Sequence, residues 1–211
     1  MSTEATPRWR RLEPDERREQ IFACAIRLFG ERPYTAVSTT DIARAAGVAR
    51  GLINHYFGTK RELYLDVVRA MVTIPSSATT KLPTGSLQDR VNASVDWFLD
   101  SVARHGKTWI AAIGAEGVGQ DPDVDRILTE ADETAADRVL EAVGLADISE
   151  HREELRAMIR AYGGMVKTAV REWITRGTLT RDDVHLLLTK TLYTLVRDAF
   201  PEIGAAKGSE E

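Results

Sequence analysis

The chain has 211 residues, 43% apolar and 28% charged, enough for one large domain or two small ones around a sizeable core. No apolar run nears the roughly 20 residues of a membrane span, and the basic start of the chain has no signal-type apolar segment behind it. A lone Cys24 excludes a disulfide framework or a clustered-cysteine metal site, so a cytoplasmic protein is expected. Residues 1–62 hold 11 Lys and Arg against 8 Asp and Glu, whereas the whole chain has a net charge of -4. A basic end on an acidic body points to an anionic partner at that end.

In chain order, the spacing predicts helices nearly throughout. Pro14, Asp15 and Glu16 suit a first turn, because proline lacks an amide that would go unpaired there and carboxylates favour the positive dipole end. Ile21, Ala25, Leu28 and Phe29 repeat at helical spacing up to Gly30. Ser38 and Asp41 form a capping-box pattern for a short helix ending at Gly47; a third helix runs from about Ala49 to Phe57, and a fourth from Lys60 to Val72. Residues 74–86, with two prolines and a glycine, read as a loop between domains. Val91 to Val102 then marks a long helix, and Trp109 to Ile113 a shorter, glycine-bounded one. Asp121-Pro122 opens another with Val124, Leu128, Ala131, Ala135 and Val139 as its stripe. Asp147 to Glu150 reads as a capping box for a helix reaching Arg176, and Thr180 with Asp183 caps a last helix that Pro201 is expected to end. The fold class is all-α.

The window from Thr39 to Phe57 carries the chemistry. Ile42, Ala46, Val48 and Ile53 fall where two crossing helices share a core, and Gly47 permits the positive φ of a tight turn. The second helix would enter a DNA major groove by its N-terminal end. Arg50 can grip a guanine edge with two hydrogen bonds and Asn54 can pair with adenine, while Gly51 and Leu52 share the leading turn. Thr39, Thr40, His55, Tyr56 and Lys60 are phosphate candidates that would hold the register. Arg8-Trp9-Arg10-Arg11 could act as an arm reaching a minor groove or simply as a solvated charge run.

The run Ile21 to Phe29, then Ser38 to Ala43, Ala46-Gly47-Val48, Gly51 to Phe57, and Lys60 with Leu63, closely resembles the tetracycline-repressor (TetR) family of bacterial regulators. The match covers about residues 15–70. Two positions depart from the family's pattern: Ala49 stands where a hydroxyl residue is common, and Asn54 where an aromatic is common. The resemblance implies a helix-turn-helix head with its basic arm over 1–62, a ligand-binding and dimerisation domain over 63–203, and a disordered tail over 204–211. It also implies a pocket in the body and a four-helix dimer interface built from the last two long helices.

Within that body, Trp97, Trp109, Ile113, Met158, Tyr162 and Trp173 are candidate pocket walls, joined by Phe98 and Met165, with Glu116 or Arg126 as a polar anchor. Val166, Val170, Leu188, Thr191, Leu192 and Leu195 are candidate dimer contacts, though some of them must serve the chain's own core. The four histidines show no close metal-ligand pair, no nucleophile and base pair is readable, and no cofactor is implied. The expected function is a dimeric repressor, released from a pseudo-palindromic operator in double-stranded DNA by an apolar or amphipathic small molecule. The alternatives are a regulator of the same fold that answers to a protein partner or to no ligand and, from another class, an all-α enzyme.

Overall fold

The computed structural model describes residues 13–75, 85–113 and 121–207. These are helical throughout, and no strand occurs among them. The chain divides into two compact units, Met1–Val67 and Val68–Glu211, so the division falls inside a helix and past the 62/63 boundary read from the sequence. The basic arm and Glu116 lie outside the described residues.

The first unit contains α1 (Pro14–Glu31), a short 3-10 turn (Tyr34–Ala36), α2 (Thr39–Ala45), α3 (Arg50–Phe57) and the start of α4 (Lys60–Val72). Ile21, Ala25, Ile42, Ile53 and Leu63 are buried at its centre. Phe22 stacks on Phe57 at 6.0 Å between ring centroids, and Arg18 covers the same Phe57 ring at 4.9 Å. These contacts set α3 against α1, leaving one face of α3 for solvent.

The second unit contains α5 (Leu87–Ile113), α6 (Pro122–Val143), α7 (Arg152–Arg171), α8 (Arg181–Thr194) and α9 (Phe200–Lys207). Val91, Val95, Leu99, Leu140, Leu155, Ile159, Leu188 and Leu192 form its core. Several sequence expectations change here, each for a physical reason. Residues 87–113 are one helix rather than two, because Gly106 is a packing residue and not a break. A Cβ there would stand 3.2 Å from the Ile174 side chain, so glycine lets the two segments approach closely. The Asp147 to Glu150 box does not cap α7; that helix starts at Arg152, after His151 with φ 52. Pro201 does not end the last helix. A π turn over Leu195–Ala199 carries the Phe200 amide to the Leu195 carbonyl, and this looser ladder passes the proline into α9 up to Lys207. A second π turn, Glu172–Arg176, extends α7 to the left-handed Gly177. The helix through Lys207 also covers part of the tail expected to be disordered.

Candidate nucleic-acid interface and effector cavity

The α2–turn–α3 unit is held by local hydrogen bonds that its sequence dictates. Ser38 Oγ accepts from the Asp41 amide at 3.1 Å, and Asp41 Oδ2 accepts from the Ser38 amide at 3.0 Å. The Ser38 hydroxyl donates to the same carboxylate at 2.7 Å, and these bonds hold the Asp41 carboxyl below its usual range. At the other end of α2, Gly47 adopts φ 63. Its amide donates to Arg44 O at 3.2 Å while the Val48 amide donates to Ala43 O at 3.0 Å. That pair closes the last carbonyls of α2 in a Schellman turn and aims the chain into α3. Ala49 caps α3 with backbone alone, as expected where a hydroxyl is replaced by a methyl.

α3 buries Ile53 and Phe57 and exposes Arg50, Gly51, Asn54 and His55, with Leu52 and Tyr56 half-buried between them. Arg50 Nε donates to Thr39 Oγ1 at 3.2 Å, so a candidate base reader and a candidate phosphate contact meet at the head of the two helices. Thr40 and Arg44 are both exposed on α2, one turn apart. Arg44 also lies 3.7 Å from the Asp41 carboxylate and is a further candidate for the DNA face that its spacing from Thr40 could have flagged. His55 packs edge-on against Tyr56 at 5.0 Å.

Lys60 makes its contacts inside the head. Its Nζ donates to the Tyr34 carbonyl at 2.6 Å, lies 3.9 Å above the Tyr34 ring, and is half-buried, with its pKa lowered by desolvation. The ammonium is therefore engaged within the head. Lys60→Met is expected to lose about 1–2 kcal/mol of head stability through one charged hydrogen bond and one cation–π contact. Amide exchange in α1 to α3 should speed up accordingly; unchanged protection would show that these contacts do not stabilise the head.

In the second unit, α5, α6, α7 and α8 line a cavity of about 150 Å³. Trp97, Phe98, Trp109, Ile113 and Tyr162 are on its wall, Phe98 and Trp109 meeting edge-on at 5.8 Å. Tyr162 is buried and donates its hydroxyl to the Leu188 carbonyl at 3.1 Å, and burial pushes that hydroxyl's pKa up. Met158 and Trp173 do not reach the wall; Trp173 packs on the outside of the core from the π turn. Met165 packs there as well, and Arg126 is tied to Asp123 at 2.8 Å on the surface. Val72 and Ile74, at and beyond the end of α4, are wall residues the sequence did not disclose. So are Asp132, Arg138, Arg160, Gly163 and Lys167.

The expected dimer contacts need correction. Val170, Leu188 and Leu192 are 0–2% exposed in the chain's own core, and Val166, Leu188 and Leu192 line the cavity. Leu195 packs against that core and Thr191 is half-buried. The cause is register: Val184, Leu188 and Leu192 follow one another at four-residue spacing on the inner face of α8, which turns Leu186 and Leu187 outward. Among the described residues no group of His, Cys, Asp and Glu is placed to hold a metal ion.

Residues 21–67 match the family model of bacterial regulatory proteins, tetR family, and residues 87–195 match the tetracyclin repressor-like C-terminal domain. The chain belongs to the TetR family. It is a DNA-binding transcriptional regulator, and members of this family are dimers rather than enzymes. The transcriptional activator FasR of Mycolicibacterium smegmatis is 29% identical over 154 residues, covering 72% of this chain and 70% of FasR. The regulator BetI of Vibrio parahaemolyticus is 32% identical over 105 residues, 46% of this chain, which spans about half (53%) of that regulator's length. A TetR-family regulator from Streptomyces coelicolor has a solved structure that superposes with a TM-score of 0.73 at 22% identity, covering 92% of this chain and 87% of that one. None of the helices described is long and apolar enough to cross a membrane.

Proposed function

We propose that this TetR-family chain is a ligand-responsive repressor, held on a pseudo-palindromic operator as a dimer and released by a small apolar or amphipathic molecule. The cavity of about 150 Å³ carries this reading. It is close to the size at which an apolar protein cavity takes up a benzene-sized guest, and its aromatic walls suit one. The DNA face is proposed to comprise Arg50, Gly51, Leu52, Asn54, His55 and Tyr56 of α3 with Thr39, Thr40 and Arg44 of α2. DNA selected from a random pool by the full chain should contain two half-sites about 34–36 Å apart, or a multiple of that. Selection of unpaired single half-sites would refute the dimeric reading. FasR, named as an activator, supports a second reading in which the bound dimer activates. A reporter driven by the selected site separates the two: deleting the regulator raises expression under repression and lowers it under activation.

For the dimer itself, the exposed faces of α7 and α8 are the proposed contact. Ala157, Ala161, Gly164 and Thr168 form an exposed stripe of small residues on α7, and Leu187 is 40% exposed and Leu186 59% exposed on α8. Small side chains let a partner helix approach closely, and the leucines supply apolar area to bury. Leu187→Glu should give folded monomers in sedimentation, because a charge placed in the seam is costly unless paired. Leu192→Glu should instead unfold the body, since Leu192 is 2% exposed inside it. A dimer of unchanged strength in Leu187→Glu would remove α8 from the interface.

A further inference from the structure

Among the described residues, the polar side chains on the cavity wall are Ser94, Asp132, Arg138, Arg160, Tyr162 and Lys167. Each is engaged within the protein. Ser94 Oγ donates to the Val91 carbonyl at 3.0 Å, and the Tyr162 hydroxyl donates to Leu188 as described above. The other four are charged, and three ion pairs account for them. Lys167 Nζ is 2.7 Å from Asp132 Oδ2, and Arg160 Nη1 is 3.1 Å from Glu133 Oε2. Arg138 Nη1 donates to both oxygens of Glu141, at 2.9 and 2.7 Å. Glu133 is shared with Arg156 at 2.5 Å, and Arg156 in turn meets Asp137 at 3.1 Å. Every cation of this wall therefore faces a carboxylate, and the rest of the lining carries no charge.

An apolar guest gains from such walls by leaving water. A charged guest meets charges that are already paired. Its own charge would stay unanswered, at a cost, or would take a partner from one of the three pairs and strand another charge in its place. Resting on the effector-cavity reading above, we infer that the effector is electrically neutral, an uncharged and largely apolar molecule about the size of a benzene ring that carries neither a carboxylate nor an ammonium. The volume sets its size, and the paired wall sets its charge. Lys167–Asp132 and Arg160–Glu133 both cross from α7 to α6, so this selection against ions is built into the packing of those two helices.

Calorimetric titration of the full chain at neutral pH with benzyl alcohol, benzoate and benzylamine, probes of one size and different charge, tests the assignment. The wild type should bind the alcohol about tenfold or more tightly than either ion. Asp132→Asn removes a negative charge from the wall, so it should raise benzoate affinity several-fold and leave benzyl alcohol unchanged. Lys167→Met removes a positive charge and should do the same for benzylamine. Binding of benzoate or benzylamine by the wild type as tightly as the alcohol would overturn the inference, and so would an unchanged order of preference in either variant. Gly163→Leu separates this failure from failure of the cavity reading. Gly163 is on the wall and a Cβ there would meet nothing within 4 Å, so a larger side chain takes up open space without displacing protein atoms and should block all the probes alike. If no probe binds the wild type, or if Gly163→Leu leaves the titrations unchanged, the cavity reading falls together with the inference.

Discussion

Arg50→Ala is expected to weaken operator binding by about 1–3 kcal/mol in each half-site, and so by about 2–6 kcal/mol across a two-fold dimer. That is a loss of roughly thirtyfold to twenty-thousandfold. The base preference at one position of each half-site should relax, because the lost contact reads a base edge and not the backbone. The geometry gives this prediction a second part. Thr39 Oγ1 accepts from Arg50 Nε at 3.2 Å, which leaves the two terminal nitrogens of the guanidinium as the fork for guanine. Thr39→Val should therefore cost less than Arg50→Ala and blur the same base position, acting through orientation. Arg50→Lys should not restore specificity, since a single ammonium lacks the fork. Quantitative binding to the selected operator and its single-base variants checks all three. If Arg50→Ala keeps both affinity and base preference, α3 reads the groove with other residues.

What was legible in the sequence was mostly local. The boxes at Ser38 with Asp41 and at Thr180 with Asp183 form as read, because each needs only a hydroxyl and a carboxylate three residues apart. Gly47 and Gly58 both adopt positive φ, and at Gly58 a Cβ would collide with the Glu62 carboxylate that caps α4 through Thr59. Such features are decided by a single turn of chain. Features decided by a neighbouring helix were not legible. Gly106 looks like a break until Ile174 is seen against it, and Leu188 and Leu192 look free for a partner until the core of α5 and α7 covers them. The residues proposed for the DNA face come together because α2 and α3 are adjacent in sequence, whereas the carbonyl that holds Lys60 lies 26 residues away. For the cavity, the tryptophans drew notice by their size.

The last expectation is reciprocity between ligand and operator. We propose that α4 is the lever between ligand and operator. Lys60 at its start is tied to Tyr34 of the head, and Val72 at its end lines the cavity. A ligand can change DNA affinity only by binding one head spacing better than the other. A coupling of about 1–3 kcal/mol, roughly 5–150-fold in affinity, is the ordinary range for such a link. By linkage, saturating operator must weaken ligand binding by the same factor. Because Trp97 and Trp109 line the cavity, their fluorescence should report the titration directly, first with free protein and then with operator-bound protein. Val72→Ala removes wall volume at the lever's end, so it should shrink the coupling while leaving ligand affinity in the DNA-free protein nearly intact. Equal ligand affinities with and without operator would exclude this mechanism for that ligand. A coupling preserved in full in Val72→Ala would show that the signal leaves the cavity by a route other than the end of α4.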